Sequence, residues 1–309
     1  PDTGGSLLDR ADYAAWTAPG QTGTNAIPWT ALATGINAAA YTTDWSVNFA
    51  LLAAGTNYIT VRAYDVAGSS VALPDAFVVK KDTAGPVVTD SQAGDTVWRN
   101  GGGTLYNVDF ADALSGLTTA EYAVYTATGL GGTNVKPWTV IVGSNVALTD
   151  WTTDWGVDFA ALLEAVTNYV SVRAQDALGT FTTATDLFLV LKDTTLPTVT
   201  ASQAGDDAWR KVGGTLYNVD VADTGGSLLD RAEYAAWTGT GQTGTNVISW
   251  TAIATGINAA SYTTDWGVNF ALLAAATNYI SVRVYDVAGS SAVLNDAFSV
   301  KKDTSGPVV

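Results

Sequence analysis

The side chains best suited to chemistry in this sequence are carboxylates. The 309 residues include 29 Asp and Glu against 14 Lys and Arg, and they include neither His nor Cys. Without His or Cys, Ser-His-Asp triads, thiol chemistry, zinc fingers and iron–sulfur centres are excluded. Carboxylate oxygens are ligands that hard cations such as Ca²⁺ take in proteins. The chemistry that the composition leaves open is therefore cation binding.

The overall charge narrows the class of partner. A formal net charge of -15 and an isoelectric point of about 4.1 argue against nucleic acid and against an anionic membrane surface, because both would repel the chain. No apolar run is long enough to span a bilayer, so we expect no membrane insertion in this segment. The acidity fits two roles, either cation binding or keeping a long array soluble.

Internal repetition determines the domain organisation. Asp82, Asp193 and Asp303 are each followed by Thr, at intervals of 111 and 110 residues. Units of this length can hold a core of their own, and they are too long for a helical or leucine-rich solenoid repeat. We predict a partial repeat, two complete repeats and the start of another, at residues 1–83, 84–194, 195–304 and 305–309.

The first repeat lacks the segment equivalent to residues 85–110. Two explanations are open. The sequence is either a window on a longer array, or neighbouring molecules complete each other's sheets by strand addition. We favour the window, because long repetitive arrays are common on this kind of scaffold.

The patterning within one repeat predicts short strands. Leu216 is out of phase with Val219 and Val221, which predicts a bulge or twist between them. A helix-like patch at residues 270–275 is too short for more than a single turn. In the third repeat we expect seven strands, at residues 197–201, 216–221, 232–238, 247–253, 260–268, 280–284 and 297–300. Such spacing predicts an all-β fold class of tandem immunoglobulin-like β-sandwiches with about seven strands each.

One segment of each repeat has a more specific pattern. Residues 55–68 read Gly-Thr-Asn-Tyr-Ile-Thr-Val-Arg-Ala-Tyr-Asp-Val-Ala-Gly, and most of these positions return in the other two repeats. The pattern resembles that of bacterial immunoglobulin-like tandem repeats of extracellular surface proteins and adhesins. The linker at residues 193–197 also fits such arrays. The resemblance implies an extracellular location on a bacterial cell surface.

Fibronectin type III is a rival resemblance with the same sandwich architecture. Leu273, Thr277 and Tyr279 have the spacing of the tyrosine corner of that fold. However, Ile280 and Val282 alternate in the opposite phase to Tyr279, whereas a corner tyrosine shares the core face. This phase favours the bacterial family.

Sandwich topology predicts that three aspartates meet at each junction between repeats. The linker that leaves one repeat meets two loops of the next, between its second and third strands and between its last two strands. Each of these segments has one Asp, giving Asp82, Asp112 and Asp176 at the first junction and Asp193, Asp223 and Asp286 at the second. Three carboxylates with loop carbonyls would suit Ca²⁺. The family resemblance implies the same, since calcium stiffens junctions in related adhesins.

Two architectural roles compete with chemistry for the acidic residues. Asp82 and Asp193 could simply cap a turn, because an Asp side chain bonds nearby backbone N–H groups. Glu121 and Glu233 occupy the same repeat position, where the first copy has Asp12. A position that recurs in every copy is better explained by architecture than by an active site.

The aromatic residues offer a second kind of site. Three tryptophans follow a turn and could be exposed, where they would stack on sugars or on a neighbouring subunit: Trp29, Trp138 and Trp250. The alternative is that they cover a sheet edge or plug the core. A recurring Thr-Thr-Asp-Trp string places a further set, expected to pack a strand end, at Trp45, Trp155 and Trp266.

Together these features predict a non-enzymatic structural array that forms an extracellular stalk, fibre or surface filament. Near-identical repeats suit the building of a rod. They suit a binding role less, because each further repeat would only duplicate the same ligand site. Two alternatives stay open, an adhesin that holds glycan or a host surface through exposed aromatics, and accessory sandwiches of a secreted enzyme. We expect self-association with further repeats or copies, glycan as a second candidate ligand, and no catalytic or cofactor-binding residues.

Overall fold

The computed structural model describes residues 1–93, 96–143, 148–203 and 207–309, and these residues form β-sheets joined by turns and three one-turn 3₁₀ helices. The sheets group into three units along the chain. The all-β prediction is confirmed. The predicted boundaries at residues 84 and 195 fall in segments without strands.

The first repeat consists of a single four-stranded antiparallel sheet, with the strand order β2-β1-β3-β4. Its 3₁₀ helix is Phe49–Leu51. The strands are β1 (Leu8–Ala18), β2 (Thr22–Ala38), β3 (Gly55–Asp65) and β4 (Ser70–Lys81).

The second repeat has two layers. Its large sheet has the order β10-β9-β13-β14-β6, and the opposite layer consists of the sheets β11-β8-β5 and β12-β7. Its 3₁₀ helix is Phe159–Ala161. The strands are β5 (Val87–Asp90), β6 (Trp98–Arg99), β7 (Leu105–Tyr106), β8 (Val108–Ala111), β9 (Leu117–Ala127), β10 (Gly131–Val142), β11 (Asp150–Trp151), β12 (Trp155–Gly156), β13 (Thr167–Asp176) and β14 (Phe181–Lys192).

The third repeat reproduces this arrangement. Its large sheet is β20-β19-β23-β24-β16, and the opposite layer consists of β15-β18-β21 and β17-β22. Its 3₁₀ helix is Phe270–Leu272. The strands are β15 (Thr198–Ala201), β16 (Trp209–Arg210), β17 (Leu216–Tyr217), β18 (Val219–Ala222), β19 (Leu229–Gly239), β20 (Thr243–Ala259), β21 (Ser261–Tyr262), β22 (Trp266–Gly267), β23 (Thr277–Asp286) and β24 (Ser291–Lys302).

Each complete core lies between the two layers. In the second repeat, Phe110 of the small layer is fully buried in one cluster with Val170 and Phe188 of the large sheet. Trp155 joins this cluster, and its ring lies against Tyr122, with ring centroids 5.3 Å apart. Every second side chain of a strand points into this core, which is why the period-two pattern predicted the fold.

The same core face is only partly covered in the first repeat. Residues 1–83 contribute no strands equivalent to β5 and β8, and the cover that is present comes from residues 45–52, which pack on the buried Ile59 and its neighbours. Phe77 is 41% exposed, whereas the equivalent Phe188 and Phe298 are 2% and 3% exposed. This difference in the exposed fraction of equivalent phenylalanines shows how much the second layer contributes to their burial.

Hairpin tips repeat with the same local chemistry. The turn between β19 and β20 places Gly241 and Gln242 in the left-handed region, both with φ of 61°. Two successive residues with positive φ match the twist of an antiparallel hairpin. The carboxylate of Asp296 accepts a 2.7 Å hydrogen bond from the Gly241 N–H, which attaches the tip to β24.

Several strand predictions need correction in extent. Residues 247–253 are only part of β20, which continues to Ala259 because register shifts let it follow β19 past each irregularity. The strand predicted at 260–268 is instead the two short strands β21 and β22. The strand predicted at 216–221 breaks at Asn218, and its halves β17 and β18 pair with different partners, so Leu216 points outward. The short strand β16 was not predicted.

Candidate metal site at the junctions between repeats

The structure brings together both predicted sets of three aspartates. In each set, one carboxylate oxygen per residue lies within 4.8 Å of the corresponding oxygens of the other two. We call Asp82, Asp112 and Asp176 the first trio, and Asp193, Asp223 and Asp286 the second trio. One member of each trio belongs to a linker, and the other two belong to the repeat that follows it.

The second trio is withdrawn from solvent. Asp193, Asp223 and Asp286 are 0%, 4% and 2% exposed. In the first trio Asp112 and Asp176 are buried, while Asp82 is half-buried. A buried carboxylate needs a compensating partner, because the loss of hydration disfavours its charge.

Backbone N–H groups supply part of that compensation at the second trio. Asp193 accepts from the N–H of Thr195 at 3.0 Å and from the N–H of Ser227, across the junction, at 3.0 Å. Asp223 accepts from two N–H groups of its own loop. Asp286 accepts a 2.7 Å bond from the Ser290 N–H through Oδ1. These bonds fix the orientation of each carboxylate.

One oxygen in each trio has no partner among the described residues. The Oδ2 atoms of Asp176 and Asp286 are buried and receive no hydrogen bond. At the second trio the hydroxyl of Ser227 is also buried and unpaired. A buried carboxylate oxygen is usually paired in folded proteins, so these atoms have room for an ion or an ordered water as partner.

The electrostatics of the second trio point the same way. None of the ion pairs formed by the described residues includes a member of either trio. Burial raises the pKa of Asp286, and the carboxylates of Asp193 and Asp223 raise it further. At the first junction the pKa of Asp82 is instead lowered, chiefly by a hydrogen bond from the Ser115 side chain. At the second trio, burial and the two neighbouring carboxylates therefore disfavour the negative charge of Asp286.

The turn role predicted as an alternative is also present. Asp82 accepts from the N–H of Ala84, and Asp193 accepts from the N–H of Thr195, both at 3.0 Å. In each case Oδ1 makes the turn bond and Oδ2 accepts from the next repeat, at Ser115 or Ser227. Capping a turn and facing the junction are thus compatible roles of one side chain.

Sequence reasoning missed several groups around the second trio. A Cβ at Gly226 would lie 2.8 Å from the Ala165 Cα and 3.1 Å from the Trp98 ring, and the φ of Gly226 is 101°, so only glycine fits there. The Asn100 side chain donates to the Ser290 hydroxyl across the junction at 3.3 Å. Gly225 and Gly226 precede Ser227 in the sequence, and this pair of glycines was the available sign of a close approach.

The acidic residues at the recurrent strand position form ion pairs. Glu121 contacts the Arg173 guanidinium at 2.6 Å, and Asp12 contacts Arg62 at 3.0 Å. Glu233 pairs with Arg283 in the same way. Each pair joins neighbouring strands of a large sheet, which supports the architectural interpretation of these carboxylates.

The turn-flanking tryptophans are covered rather than free. Trp29, Trp138 and Trp250 are each half-buried. An arginine guanidinium lies over each ring, with the carbon of Arg62 3.9 Å from the Trp29 ring centroid and that of Arg283 4.3 Å from the Trp250 ring centroid. Trp155 and Trp266, expected at a strand end, are buried core residues.

No protein-family model matches the chain, and no curated protein matches it. The described part of the chain contains no helix long and apolar enough to cross a membrane.

Among solved structures, the chain is similar to a tetra-tandem repeat in the extending region of a large adhesion protein, at 14% identity and a TM-score of 0.35, covering 97% of this chain and 69% of that one. It is similar to a 1.5-MDa bacterial ice-binding adhesin at 16% identity and a TM-score of 0.34, covering 97% and 88%. It is also similar to fibronectin(III)-like modules of Clostridium thermocellum CbhA at 14% identity and a TM-score of 0.28, covering 70% and 95%. Scores this low carry no information on function, so the fold assignment stands on the strand order and the core.

Proposed function

We propose that this chain is part of an extracellular structural array, a stalk, fibre or surface filament, in which Ca²⁺ bound at each junction holds successive sandwiches in line. The observation that supports this proposal is the convergence of three carboxylates at both junctions, with a buried, unpaired oxygen in each set. One residue comes from the linker and two from the next repeat. An ion at this place would bridge the two units.

The donor set favours a hard cation. Ca²⁺ takes six to eight oxygen ligands from carboxylates, carbonyls and water, whereas zinc and copper sites need the nitrogen and sulfur ligands that this chain lacks. The two trios provide only oxygen donors. Calcium sites of extracellular modules have dissociation constants of about 0.1–1 mM, and such sites fit an array outside the cell.

The same ion would control stiffness. Without it, three carboxylates repel one another across the joint, and only hydrogen bonds and packing oppose the movement of the linker away from the next repeat. With the ion bound, the carboxylates of the linker and of both loops would bind the same cation. The expected result is a flexible chain of sandwiches without calcium and a straight rod with it.

The adhesin and enzyme alternatives have less support. An aromatic surface for glycan would need open ring faces, but Trp29, Trp138 and Trp250 lie beneath arginines. Glu121 and Glu233, the acidic residues at a recurrent position, are engaged in ion pairs. With these aromatic and acidic residues engaged within the repeats, the surface is the one expected of a spacer.

Calorimetry and small-angle X-ray scattering test the proposal on the 309-residue chain. We expect two calcium ions to bind per chain, and the maximum dimension to increase when calcium replaces chelator. Asp193→Asn should remove one ion and the matching part of the extension. Asp154→Asn is the matched control, since Asp154 is exposed and distant in sequence from both trios. No binding at millimolar calcium, or an unchanged maximum dimension, would refute the proposal.

A further inference from the structure

One asparagine in the sequence is followed by glycine, and it is Asn100. This pair is the one most prone to spontaneous deamidation, because the backbone nitrogen of the following residue attacks the asparagine side chain and glycine has no Cβ to hinder the attack. The third repeat has Lys211 and Val212 at these two positions. The fold therefore accepts other residues here, and the reactive pair is particular to the second repeat.

The structure leaves room for this attack. Asn100 is exposed, and neither it nor Gly101 lies in a strand. A Cβ at Gly101 would meet nothing within 4 Å, whereas a Cβ at Gly102 would lie 3.1 Å from Phe159. Among the described residues, the Asn100 side chain makes one hydrogen bond, from its Nδ2 to the Ser290 hydroxyl at 3.3 Å. Breaking this one long bond frees the side chain.

The other asparagines are less suited to the reaction. Each of them is followed by a residue that has a Cβ. Three of them are also fully buried and are held by hydrogen bonds with backbone groups: Asn57, Asn168 and Asn278. Asn100 should therefore be the first to react.

Asn100 lies beside the second trio. The Arg99 carbonyl accepts from the N–H of Asp193, the linker member of this trio, at 3.0 Å. Ser290, which accepts from the Asn100 side chain, donates its own N–H to Asp286 at 2.7 Å. One serine therefore separates the Asn100 side chain from a carboxylate of the trio. Both sides of this contact belong to the second and third repeats, so repeats before or after them do not alter it.

We propose that Asn100 is a site of spontaneous deamidation, which adds a fourth carboxylate to the second junction. The Gly101 nitrogen loses its proton and bonds to the Asn100 Cγ, and the bond from Cγ to Nδ2 breaks. Ammonia leaves and a cyclic succinimide remains. Water then opens the ring at either carbonyl, giving aspartate or isoaspartate. The reaction consumes one water, releases one ammonia and needs no enzyme, metal or oxidant.

Both products change the junction. The new carboxylate is charged at neutral pH, because the pKa of an aspartate is about 3.9. In the aspartate product the contact with Ser290 can persist with its direction reversed, since a hydroxyl both donates and accepts. In the isoaspartate product the main chain is one carbon longer, directly beside the bond between Arg99 and Asp193. We expect that bond to weaken.

The added charge has opposite effects with and without calcium. Without the ion, it increases the repulsion within the second trio. With the ion, it adds to the negative charge that attracts the cation, and charge count is one of the properties that set calcium affinity. This second effect rests on the function proposed above, whereas the deamidation and the repulsion do not.

Timed incubation of the 309-residue chain in mildly alkaline buffer, followed by peptide mapping with mass spectrometry, tests the reaction. We expect Asn100 to exchange its amide for a carboxyl group before any other asparagine, with both products present. Gly101→Val, which introduces the residue of the third repeat, should slow the conversion at least about tenfold, because a β-branched side chain crowds the backbone nitrogen. Conversion no faster than at the exposed Asn107, or equally fast in Gly101→Val, would overturn the proposal.

Asn100→Asp reproduces the aspartate product and tests its effect. In chelator we expect the melting temperature of the flanking repeats to fall by roughly 2–4 °C. In calorimetry we expect calcium to bind about two- to fivefold more tightly at one of its sites. Asn107→Asp is the matched control, since Asn107 is exposed between β7 and β8, and it should show neither change.

The outcomes separate this proposal from the calcium junction. If Asn100→Asp matches the parent chain in both measurements, the new charge does not act on the second trio and that part of the proposal is wrong. If the parent chain binds no calcium, the proposed function is refuted. The deamidation site is then still decided by the peptide map, and the repulsion by the melting temperature in chelator.

Discussion

Replacement of Asp286 by asparagine should raise the stability of the chain without calcium and reduce the stability that calcium adds. Asp286 has one buried oxygen that accepts from Ser290 and one that has no partner and faces the other carboxylates. An asparagine amide can keep the first bond and place its NH₂ at the second position. There it would donate to a carboxylate of the trio instead of repelling it.

The geometry of the second trio sets the size of the effect. At an effective dielectric constant of about 20, two unit charges 4.8 Å apart repel by roughly 3.5 kcal/mol. The substitution removes two of the three repelling pairs. Without calcium, we therefore expect the free energy of unfolding to rise by a few kcal/mol, which is a large part of the stability of an ordinary domain.

Calcium should reduce this difference. An ion at one hundred times its dissociation constant stabilises the folded state by about 2.7 kcal/mol per site. The parent chain has two trios and the variant has one complete trio. With one site lost, the variant should gain about 2.7 kcal/mol less than the parent, or roughly 10 °C less in the melting temperature of the flanking repeats.

Differential scanning calorimetry of both proteins, in chelator and in millimolar calcium, measures all four values. Asp154→Asn removes the same charge from an exposed position and should change neither the chelator value nor the calcium increment. A variant that is less stable than the parent in chelator would refute the claim that the trio is under-compensated. An equal calcium increment in both proteins would refute the assignment of the ion to Asp286.

Three further predictions use the same chain. Burial and neighbouring carboxylates raise the pKa of Asp286, so its folded form binds a proton more tightly than the unfolded chain does. In chelator, stability should therefore fall as the pH rises from the ordinary Asp value of 3.8 through the raised pKa, and urea melts in calcium should show the opposite slope. Phe188→Ala should lower the free energy of unfolding, measured by urea denaturation, by about 3–5 kcal/mol. Phe77→Ala should lower it clearly less, because only Phe188 is fully enclosed. Equal losses would contradict this prediction. Asn168→Ala should lower the free energy of unfolding by at least about 2 kcal/mol, because it leaves the Leu163 N–H and the Val190 carbonyl without their hydrogen bonds to this side chain. An unchanged denaturation midpoint would show that water replaces these bonds.

The two trios could be predicted because topology alone determines which ends of the strands meet. Knowing that a sandwich places its exit linker against two loops of the next unit was enough to bring Asp193, Asp223 and Asp286 together without any knowledge of side chains. The period-two pattern likewise predicted the central strand β23, in which Ile280 and Val282 are buried and Tyr279 is not. These features depend on periodicity, which a single sequence displays.

The features that escaped prediction depend on local backbone irregularity and on long-range contacts. Gly256 and Asn258 have positive φ and lie beyond the strand predicted at 247–253, yet β20 continues through them because it pairs with β19 across successive register shifts. The packing of Trp98 on Gly226 joins residues more than a hundred positions apart. Nothing in the sequence around Trp98 or Gly226 indicates that these two residues are in contact.

The short parallel pairing of β6 with β14 has a mechanical consequence. In the second repeat β6 lies near the start of the unit and β14 near its end, and Leu191 and Lys192 lie beside Trp98 and Arg99. The bond from the Asp193 N–H to the Arg99 carbonyl extends this pairing toward the linker. Tension along the array would pull these two strands past each other, so their bonds must break together instead of opening one at a time. The same clamp recurs between β16 and β24 in the third repeat.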